Sequence, residues 1–263
     1  MNTHVSISSS ICFGAEPGAG NPALVIEHAA RDVDSRQALA RARDTTCVFL
    51  DAIDGERWVD FYYPHMRSPL CLHATLAVAA VLFAREPDAS VIAVRTAVAS
   101  QLLALVREDD AYFVRLQAQP VAMPDVAPGA VAALLDVPST ALAAPPAVAS
   151  VGSPKLLVDV KDAQTLHGLA PDLAGIADWG RAHGVNGIYA YCRLDDGLYE
   201  GRNFNHLDPA LEDSATGVAA GALTAMLGRG IELRQGRATG RDCLIQTRVE
   251  GESILVGGRA ELA

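Results

Sequence analysis

The sequence lacks the closely spaced cysteines that zinc sites and disulfide-rich folds require. Its five cysteines are odd in number and far apart, and no C-x-x-C pair occurs among Cys12, Cys47, Cys71, Cys192 and Cys243. Zinc-binding motifs and small secreted domains both bring cysteines together at short, regular spacings. We therefore expect free thiols in a reducing cytoplasm and no zinc or other metal site.

A membrane-spanning segment and a secretory signal are also missing. The longest apolar run is interrupted by His73 and Thr75 and ends at Arg85 within about 15 residues, whereas about 20 are needed to cross a bilayer. The first residues place no basic side chain ahead of an apolar run, as a signal peptide would. These absences predict a soluble, cytoplasmic protein that does not enter membranes.

Basic residues are scarce relative to acidic ones. Lysine and arginine total 21 against 31 aspartates and glutamates, which gives a formal net charge of −10. This balance argues against nucleic acid and anionic membranes as partners, because both attract basic surfaces. It does not argue against a small anionic substrate, since the N-terminus of a helix attracts anions whatever the total charge of the protein.

Two stretches of similar design, one in each half of the 263-residue chain, organise the sequence. They are LCLHATLAVAAVLFAR at residues 70–85 and EDSATGVAAGALTAMLG at residues 212–228. Each places polar or reactive side chains ahead of a helix that is apolar on every face, and such a helix has to be buried in protein. The polar groups then lie at the helix N-terminus, where backbone N–H donors are unpaired. This repetition predicts two lobes, with a site where the two helix starts meet.

Five short segments, in order along the chain, carry a resemblance to a known family. They are Gly20-Asn21-Pro22, LCLHATLA at residues 70–77, EDSATGVA at residues 212–219, Gln235-Gly236 with Gly240-Arg241, and Val256-Gly257-Gly258. They resemble the G-N-P, L-C-G-H-A-T-L-A, E-D-P-x-T-G-S-A, Q-G-x-x-x-G-R and V-G-G segments of the phenazine-biosynthesis isomerase-like (PhzF-like) family. That family is a branch of the diaminopimelate epimerase and proline racemase superfamily, and the resemblance runs from end to end of the chain.

The resemblance implies an α+β fold like that of diaminopimelate epimerase. Two pseudo-symmetric, β-rich, barrel-like lobes would each surround one central buried helix. Residues 1–117 and 251–263 would form the N-terminal lobe, and residues 118–250 the C-terminal lobe, with a stretch rich in Ala, Val and Pro at the crossing. The family resemblance, together with the edge strands of half-open barrels, also suggests a homodimer.

The function that the resemblance implies is cofactor-independent proton transfer on a small carboxylate in the cleft between the lobes. His73 and Asp213 would relay protons as general acid and base. The N-termini of the two buried helices would hold the carboxylate and stabilise enolate-like charge. The implied substrate-binding residues lie at the same helix starts and on two neighbouring segments: Asn21, Thr46, Cys71, Leu72, Ala74, Thr75, Ser214, Thr216, Gly217 and Val218.

Four positions depart from the family pattern. Thr46 aligns with the glutamate that acts as general base in the family's S-E-T-x-F-V, and a threonine hydroxyl is not a base near neutral pH without a partner. Leu72 replaces a glycine where backbone must approach a ligand closely. Ser214 replaces a proline, and Val218 replaces a serine that lines the site in the family.

These departures leave two alternatives to the isomerase open. The chain could be a catalytically degenerate member that binds a small carboxylate or a partner protein without turnover. It could also be an epimerase or racemase that depends on Cys71, because cysteines at these helix starts act as acid and base in the broader superfamily. Ser214, close to the second cysteine position, cannot act as a base unaided. We therefore predict that His73 and Asp213, rather than Cys71, carry the chemistry.

Overall fold

The computed structural model describes residues 4–263, which fall into two compact units. Of the described residues, the first unit contains 4–115 and 257–263, and the second contains 116–256. The sequence predicts crossings after residues 117 and 250. In the structure, residues 251–256 group with the second unit, because the strand at Ser253–Gly258 lies beside the strand at Cys243–Glu250.

The first unit is a mixed sheet with two helices. In chain order its elements are β1 (Ser6–Cys12), β2 (Asn21–Glu27), α1 (Val33–Arg43), β3 (Thr46–Ile53), β4 (Glu56–Tyr62), β5 (Arg67–Ser68), α2 (Leu72–Arg85), β6 (Val91–Thr96), β7 (Leu102–Glu108) and β8 (Ala111–Gln117), and the chain ends in β16 (Ala260–Leu262). The sheet order is β16-β1-β2-β3-β4-β6-β7-β8, with β5 paired to β4. The pairs β2–β3 and β4–β6 are parallel because α1 and α2 connect them.

The second unit contains another mixed sheet. Its elements are α3 (Pro128–Leu134), β9 (Ala147–Ala149), β10 (Lys155–Asp159), α4 (Ala163–His167), α5 (Leu173–His183), β11 (Ile188–Asp195), β12 (Leu198–Phe204), α6 (Gly217–Leu227), β13 (Glu232–Gln235), β14 (Cys243–Glu250) and β15 (Ser253–Gly258). Short 3-10 turns lie at Ser139–Ala141, Pro209–Leu211 and Arg237–Thr239. The sheet order is β15-β14-β13-β12-β11-β10-β9.

The two units repeat one pattern of strand pairing. In the first unit, β1–β2 is antiparallel, β2–β3 parallel, β3–β4 antiparallel, β4–β6 parallel and β6–β7 antiparallel. In the second unit, β9–β10, β10–β11, β11–β12, β12–β13 and β13–β14 follow the same alternation. The helices α2 and α6 occupy equivalent places, since each crosses between a parallel pair. The duplication that the two apolar helices predicted is therefore present in the topology.

Both central helices are buried within their own unit. Residues Leu72–Phe83 of α2 are buried, and the helix packs on β1, β2, β3 and β16. Helix α6 packs on β9, β10 and β14, and a Cβ on Gly221 would lie 2.6 Å from Val151 Cγ2. Helix α6 ends at Gly228 in the left-handed conformation, as its sequence predicts.

In the described part of the chain, no helix combines the length and apolar character that crossing a membrane requires. The apolar helices α2 and α6 contain 14 and 11 residues. A membrane span needs about 20. The apolar surface of both helices is instead covered by strands of their own unit.

Candidate functional site

The first candidate cluster lies at the start of α2. Cys71 is the N-cap residue, but its side chain makes no capping hydrogen bond. Instead, Cys71 Sγ lies 3.3 Å from His73 Nδ1, and the Tyr63 hydroxyl donates to Sγ at 3.4 Å. Cys71 and His73 are each 3% exposed. The helix start therefore holds a thiol, an imidazole and a phenol together in a buried cluster.

The loop between β4 and β5 packs aromatic rings near His73. The Tyr63 ring lies 6.3 Å from the His73 ring, and His65 stacks on Tyr63 at 5.7 Å. The backbone N–H of Tyr63 donates to Met66 O at 2.8 Å and closes the loop. Our sequence interpretation missed Tyr63 and His65. The available signal was the Tyr63-Pro64-His65 run just ahead of the motif, in which proline restrains the backbone between two ring-bearing residues.

Three predicted binding residues of α2 are used within the helix. Leu72 is 3% exposed and Ala74 is fully buried. The Thr75 hydroxyl donates to Cys71 O at 2.8 Å, a carbonyl that also accepts from Thr75 N–H at 2.9 Å. Such a bond satisfies the threonine hydroxyl against its own helix. The Thr75 hydroxyl is therefore bonded within its own helix, and the Leu72 and Ala74 side chains are buried beside it.

Asn21 and Thr46 begin two neighbouring parallel strands. Asn21 is the first residue of β2 and lies opposite Cys12 on β1. Thr46 is the first residue of β3 and pairs with Ala23 of β2. The parallel register brings both residues to the same edge of the first sheet, where they are 7% and 9% exposed. This edge offers an amide and a hydroxyl, and Thr46 supplies no carboxylate at the position of the family's base.

The second candidate cluster is the turn that precedes α6. Asp213 Oδ2 accepts a hydrogen bond from the Thr216 hydroxyl at 2.8 Å. Gln235, at the end of β13, donates through Nε2 to Asp213 O at 2.6 Å and to Thr216 Oγ1 at 3.0 Å. Its Oε1 accepts from Thr216 N–H at 3.1 Å and from the Tyr189 hydroxyl at 2.9 Å. One buried amide thus fixes the whole turn and uses all of its hydrogen-bonding capacity.

Ser214 has a partner within the protein. Its Oγ lies 2.7 Å from Thr239 Oγ1, and the Thr239 hydroxyl donates to Gly236 O at 2.9 Å. Because the Thr239 proton is used in that bond, Ser214 is the donor to Thr239. Gly236 has φ +102°, and a Cβ there would lie 2.2 Å from Arg241 O. The glycine of the Gln235-Gly236 segment is therefore needed for the chain to pass close to the turn.

The other predicted residues of the turn differ in their surroundings. Gly217 is buried as the first residue of α6, and Val218 is half-buried beside it. Glu212 forms a two-bond ion pair with Arg202, at 3.0 Å to Nε and 2.8 Å to Nη2. Arg202 also donates to the carbonyls of Leu166 and Leu169. Glu212 is therefore a structural carboxylate, and the neighbouring Asp213 accepts a hydrogen bond from the Thr216 hydroxyl.

A buried lysine lies near this turn. Lys155 is 1% exposed, and its Nζ donates to Asn186 O at 2.6 Å and to Asn203 Oδ1 at 2.9 Å. Burial lowers the pKa of Lys155 to about 7, while the negative charge of Asp213 acts in the opposite direction. A neutral amine has two N–H donors, and both have an acceptor here. Sequence reasoning missed this residue, although a lysine that opens an otherwise apolar strand was a visible signal.

The chain is similar to known proteins over nearly its whole length. Residues 11–262 match the PhzC-PhzF family, described as phenazine biosynthesis-like protein. The uncharacterized isomerase PA2770 of Pseudomonas aeruginosa is 30% identical over 260 residues, which cover 95% of this chain and 93% of that protein. A solved structure, the predicted epimerase PA4716 of Pseudomonas aeruginosa, is 26% identical with a TM-score of 0.81, over 98% of this chain and 96% of that one.

The fold extends to more distant proteins. A hydroxyproline epimerase from Agrobacterium vitis is only 12% identical, yet it matches with a TM-score of 0.57 over 100% of this chain and 92% of its own. That likeness concerns the fold alone. Together with the structure of PA4716, it confirms the α+β, epimerase-like fold that the sequence predicted. The family and its relatives support an isomerase or epimerase role at this coarse level.

Proposed function

Because the chain belongs to the PhzC-PhzF family of phenazine biosynthesis-like proteins, we propose that it is an isomerase that moves a proton on a small carboxylate without a cofactor. The observation that carries the proposal is the placement of His73 and Asp213. Each is held beside the start of a buried helix by hydrogen bonds or close contacts to neighbouring side chains. An imidazole and a carboxylate are among the side chains that most often act as general acid and base.

In this proposal the two helix starts bind the substrate carboxylate. The side chain of Cys71 does not cap α2, and the first N–H groups of that helix would act as donors to the carboxylate. At α6 the Thr216 N–H is taken by Gln235, and in this proposal the N–H groups of Gly217 and Val218 serve as the donors. The positive ends of both helices would favour the carboxylate and the enolate-like charge that develops on it.

His73 and Asp213 would then share the proton transfer. One group removes a proton from the substrate carbon, and the other returns a proton at a second position. A neutral imidazole can accept a proton, and its contact with Cys71 Sγ and the nearby Tyr63 ring restrain its orientation. The proposal requires both groups to reach one substrate, and it assigns no acid–base role to Thr46.

The experiment for this proposal is a screen in deuterium oxide. Small amino, hydroxy and cyclic carboxylates, including trans-4-hydroxy-L-proline, are incubated with the protein, and deuterium at carbon is measured by mass spectrometry. Enzyme-dependent incorporation into at least one compound is expected. A compound that binds by calorimetry, while none of the panel incorporates deuterium, would instead support a degenerate member that binds without turnover.

A second candidate, an epimerase or racemase that depends on Cys71, is favoured by one specific observation. Cys71 Sγ contacts both His73 Nδ1 and the Tyr63 hydroxyl. An imidazole beside a thiol can take its proton and produce a thiolate. The equivalent position ahead of α6 is a serine, Ser214, so it offers no second thiol. The Ser214 hydroxyl also donates to Thr239. We place this candidate second because a two-base mechanism needs a competent group on each face of the carbon.

The proposed assembly is a homodimer without nucleic acid or membrane partners. The net charge of −10 is unfavourable for both of those polyanionic partners. Strand β16 lies at the edge of the first sheet and β9 at the edge of the second. An edge strand can pair with the same strand of a second copy. Light scattering tests this assembly directly.

A further inference from the structure

A cavity of about 320 Å³ opens in the second unit. The start of α5, the end of β12 and the 3-10 turn at Pro209–Leu211 contribute to its lining. Its apolar wall consists of Leu169, Pro171, Leu173 and Phe204. Sites for small molecules combine such walls with a few polar groups, in cavities of about 300 Å³ or more. We propose that this cavity binds a small organic cation, in which an ammonium group is joined to an aromatic or branched apolar frame.

The positive charge on the lining is already neutralised. Arg202 is the only lysine or arginine among the lining residues, and it donates through Nε and Nη2 to the carboxylate of Glu212, at 3.0 and 2.8 Å. Its Nη1 donates to the carbonyls of Leu166 and Leu169, each at 3.2 Å. The guanidinium carbon also lies 4.9 Å from the centre of the Phe204 ring. An anionic ligand would therefore have to compete with Glu212 for the guanidinium.

Asp208 supplies a negative charge that the cavity does not balance. Its Oδ1 accepts from Ala210 N–H at 2.9 Å and caps the 3-10 turn. Within residues 4–263, which the structure describes, no lysine, arginine or histidine forms an ion pair with Asp208. Asp208 and Glu212 together oppose the single guanidinium of Arg202, so one negative charge is left over. The formal net charge of −10 on the whole chain also attracts cations.

The buried amide on the lining is held by neighbours of the same unit. Asn203 is 1% exposed, its Oδ1 accepts from Lys155 Nζ at 2.9 Å, and its Nδ2 donates to Asn205 Oδ1 at 3.0 Å. Burial lowers the pKa of Lys155 to about 7. At pH 8 the amine bonded to Asn203 is therefore mostly neutral, and it does not oppose a cation in the cavity.

The apolar wall determines the rest of the ligand. Phe204 is 3% exposed and Leu169 is 5% exposed, so both rest firmly in the fold. A ligand that covers this wall gains by removing apolar surface from water. A bare metal ion or a linear polyamine cannot do this, whereas a compact carbon frame can. An ammonium group on such a frame matches both the unbalanced carboxylate and the wall.

This inference goes beyond the proposed function, whose substrate is a carboxylate. It concerns a cavity that the second unit lines by itself, and it selects the opposite charge. Its test measures binding and needs no turnover. A protein that incorporates no deuterium can still bind the amine, and an active isomerase can fail to bind it. The two proposals therefore fail separately.

The test uses three probes that share one frame: 2-phenylethylamine, the neutral 2-phenylethanol and the anionic phenylacetate. Each is titrated into the full-length protein at pH 8, above the range in which imidazoles such as that of the lining residue His206 normally titrate. Binding is followed by 1H–15N NMR. The amine should bind with a Kd of about 10 mM or lower, and at least about threefold more tightly than the alcohol. Its shifts should concentrate in residues 169–173 and 202–212.

Two results of this titration would overturn the inference. One is the absence of saturable binding by the amine at these concentrations. The other is an affinity for phenylacetate that equals or exceeds the affinity for the amine, when both shift the same residues of the cavity. Amine shifts that lie only outside the two segments count as absence of binding at the cavity.

A matched pair of charge variants tests the role of Asp208. Asp208→Asn removes the charge but keeps an oxygen that can accept from Ala210 N–H, and it should weaken amine binding about threefold. Asp162 also caps a helix, α4, by accepting from Thr165 N–H at 2.8 Å, but it does not line the cavity. Asp162→Asn should bind the amine like the wild type. Equal affinities in Asp208→Asn and the wild type would overturn the assignment of the cation to this carboxylate.

A second pair tests the place of binding. Ala170 is exposed and lines the cavity, so Ala170→Trp should fill part of it and weaken amine binding at least about tenfold. Ala182 is also exposed but lies away from the lining, so Ala182→Trp should leave binding unchanged. Thermal unfolding of each purified variant controls for loss of structure. Wild-type affinity in a folded Ala170→Trp variant would show that the amine binds elsewhere and would overturn the inference.

Discussion

Lys155 should make the stability of this protein depend on pH, and Lys155→Met should remove that dependence. The folded chain buries the amine, which lowers its pKa to about 7. In the unfolded chain the same amine is solvated and has a pKa of about 10.4. Between these two values the unfolded chain binds a proton that the folded chain does not. The free energy of unfolding should therefore rise as the pH rises through this window.

The magnitude follows from the two pKa values. One pH unit inside the window changes the free energy of unfolding by about 1.4 kcal/mol, so the interval from pH 7 to pH 10 contributes about 4 kcal/mol. Below pH 7 the amine is protonated in both states, and the destabilisation by the buried charge is fully present. Methionine has no titratable group, so the contribution disappears. At high pH the variant should also be less stable, because Asn186 O and Asn203 Oδ1 lose their donor.

The assay is urea denaturation at several pH values from 6 to about 10, followed by circular dichroism. The stability difference between wild type and Lys155→Met should grow with pH by about 4 kcal/mol. Lys161, which is exposed, is the only other lysine, so Lys161→Met is the matched control and should parallel the wild type. Other groups that titrate in this range are common to all three proteins and cancel. Parallel curves for wild type and Lys155→Met would refute the reasoning.

Three further predictions concern other parts of the chain. Glu212→Gln should lower the free energy of unfolding by about 2 kcal/mol, because the part-buried Arg202 side chain, 17% exposed, loses its counter-charge. A loss below about 1 kcal/mol in urea denaturation would contradict this. Gly236→Ala should lower the free energy of unfolding by at least about 2 kcal/mol. Gly240 also has a positive φ but lies in open space, so Gly240→Ala should lower it by about 1 kcal/mol. Equal losses in the two variants would show that the close approach of residue 236 to Arg241 O is unimportant. Light scattering should give twice the chain mass of 27.6 kDa, and a monomer at working concentrations would refute the homodimer.

The fold was predictable because its strongest signals are local. Two helices that are apolar on every face can only be buried, and both α2 and α6 are. Gly228 ends α6 in the conformation that favours glycine. The Cys71–His73 contact is also local, since both residues lie within one helical turn. These features need only sequence spacing and helix geometry.

The hydrogen-bond network around Asp213 was not predictable, because its partners are distant in sequence. Gln235 and Tyr189 are 46 residues apart, and Lys155 and Asn203 are 48 apart. Nothing in the local composition indicates that these side chains meet. The same long-range contacts change how two predicted binding residues are understood. The Ser214 hydroxyl donates to Thr239, and the Thr216 hydroxyl donates to Asp213.

The most direct test of the proposed chemistry compares three variants in solvent deuterium incorporation. His73→Asn and Asp213→Asn replace each side chain with a neutral amide that has no acid–base function, and Cys71→Ala removes the thiol that touches His73. We expect the first two to slow incorporation at least about a hundredfold, and Cys71→Ala to stay close to the wild type. Loss of incorporation in Cys71→Ala, with His73→Asn spared, would contradict this account and would identify the thiol as the group that moves the proton.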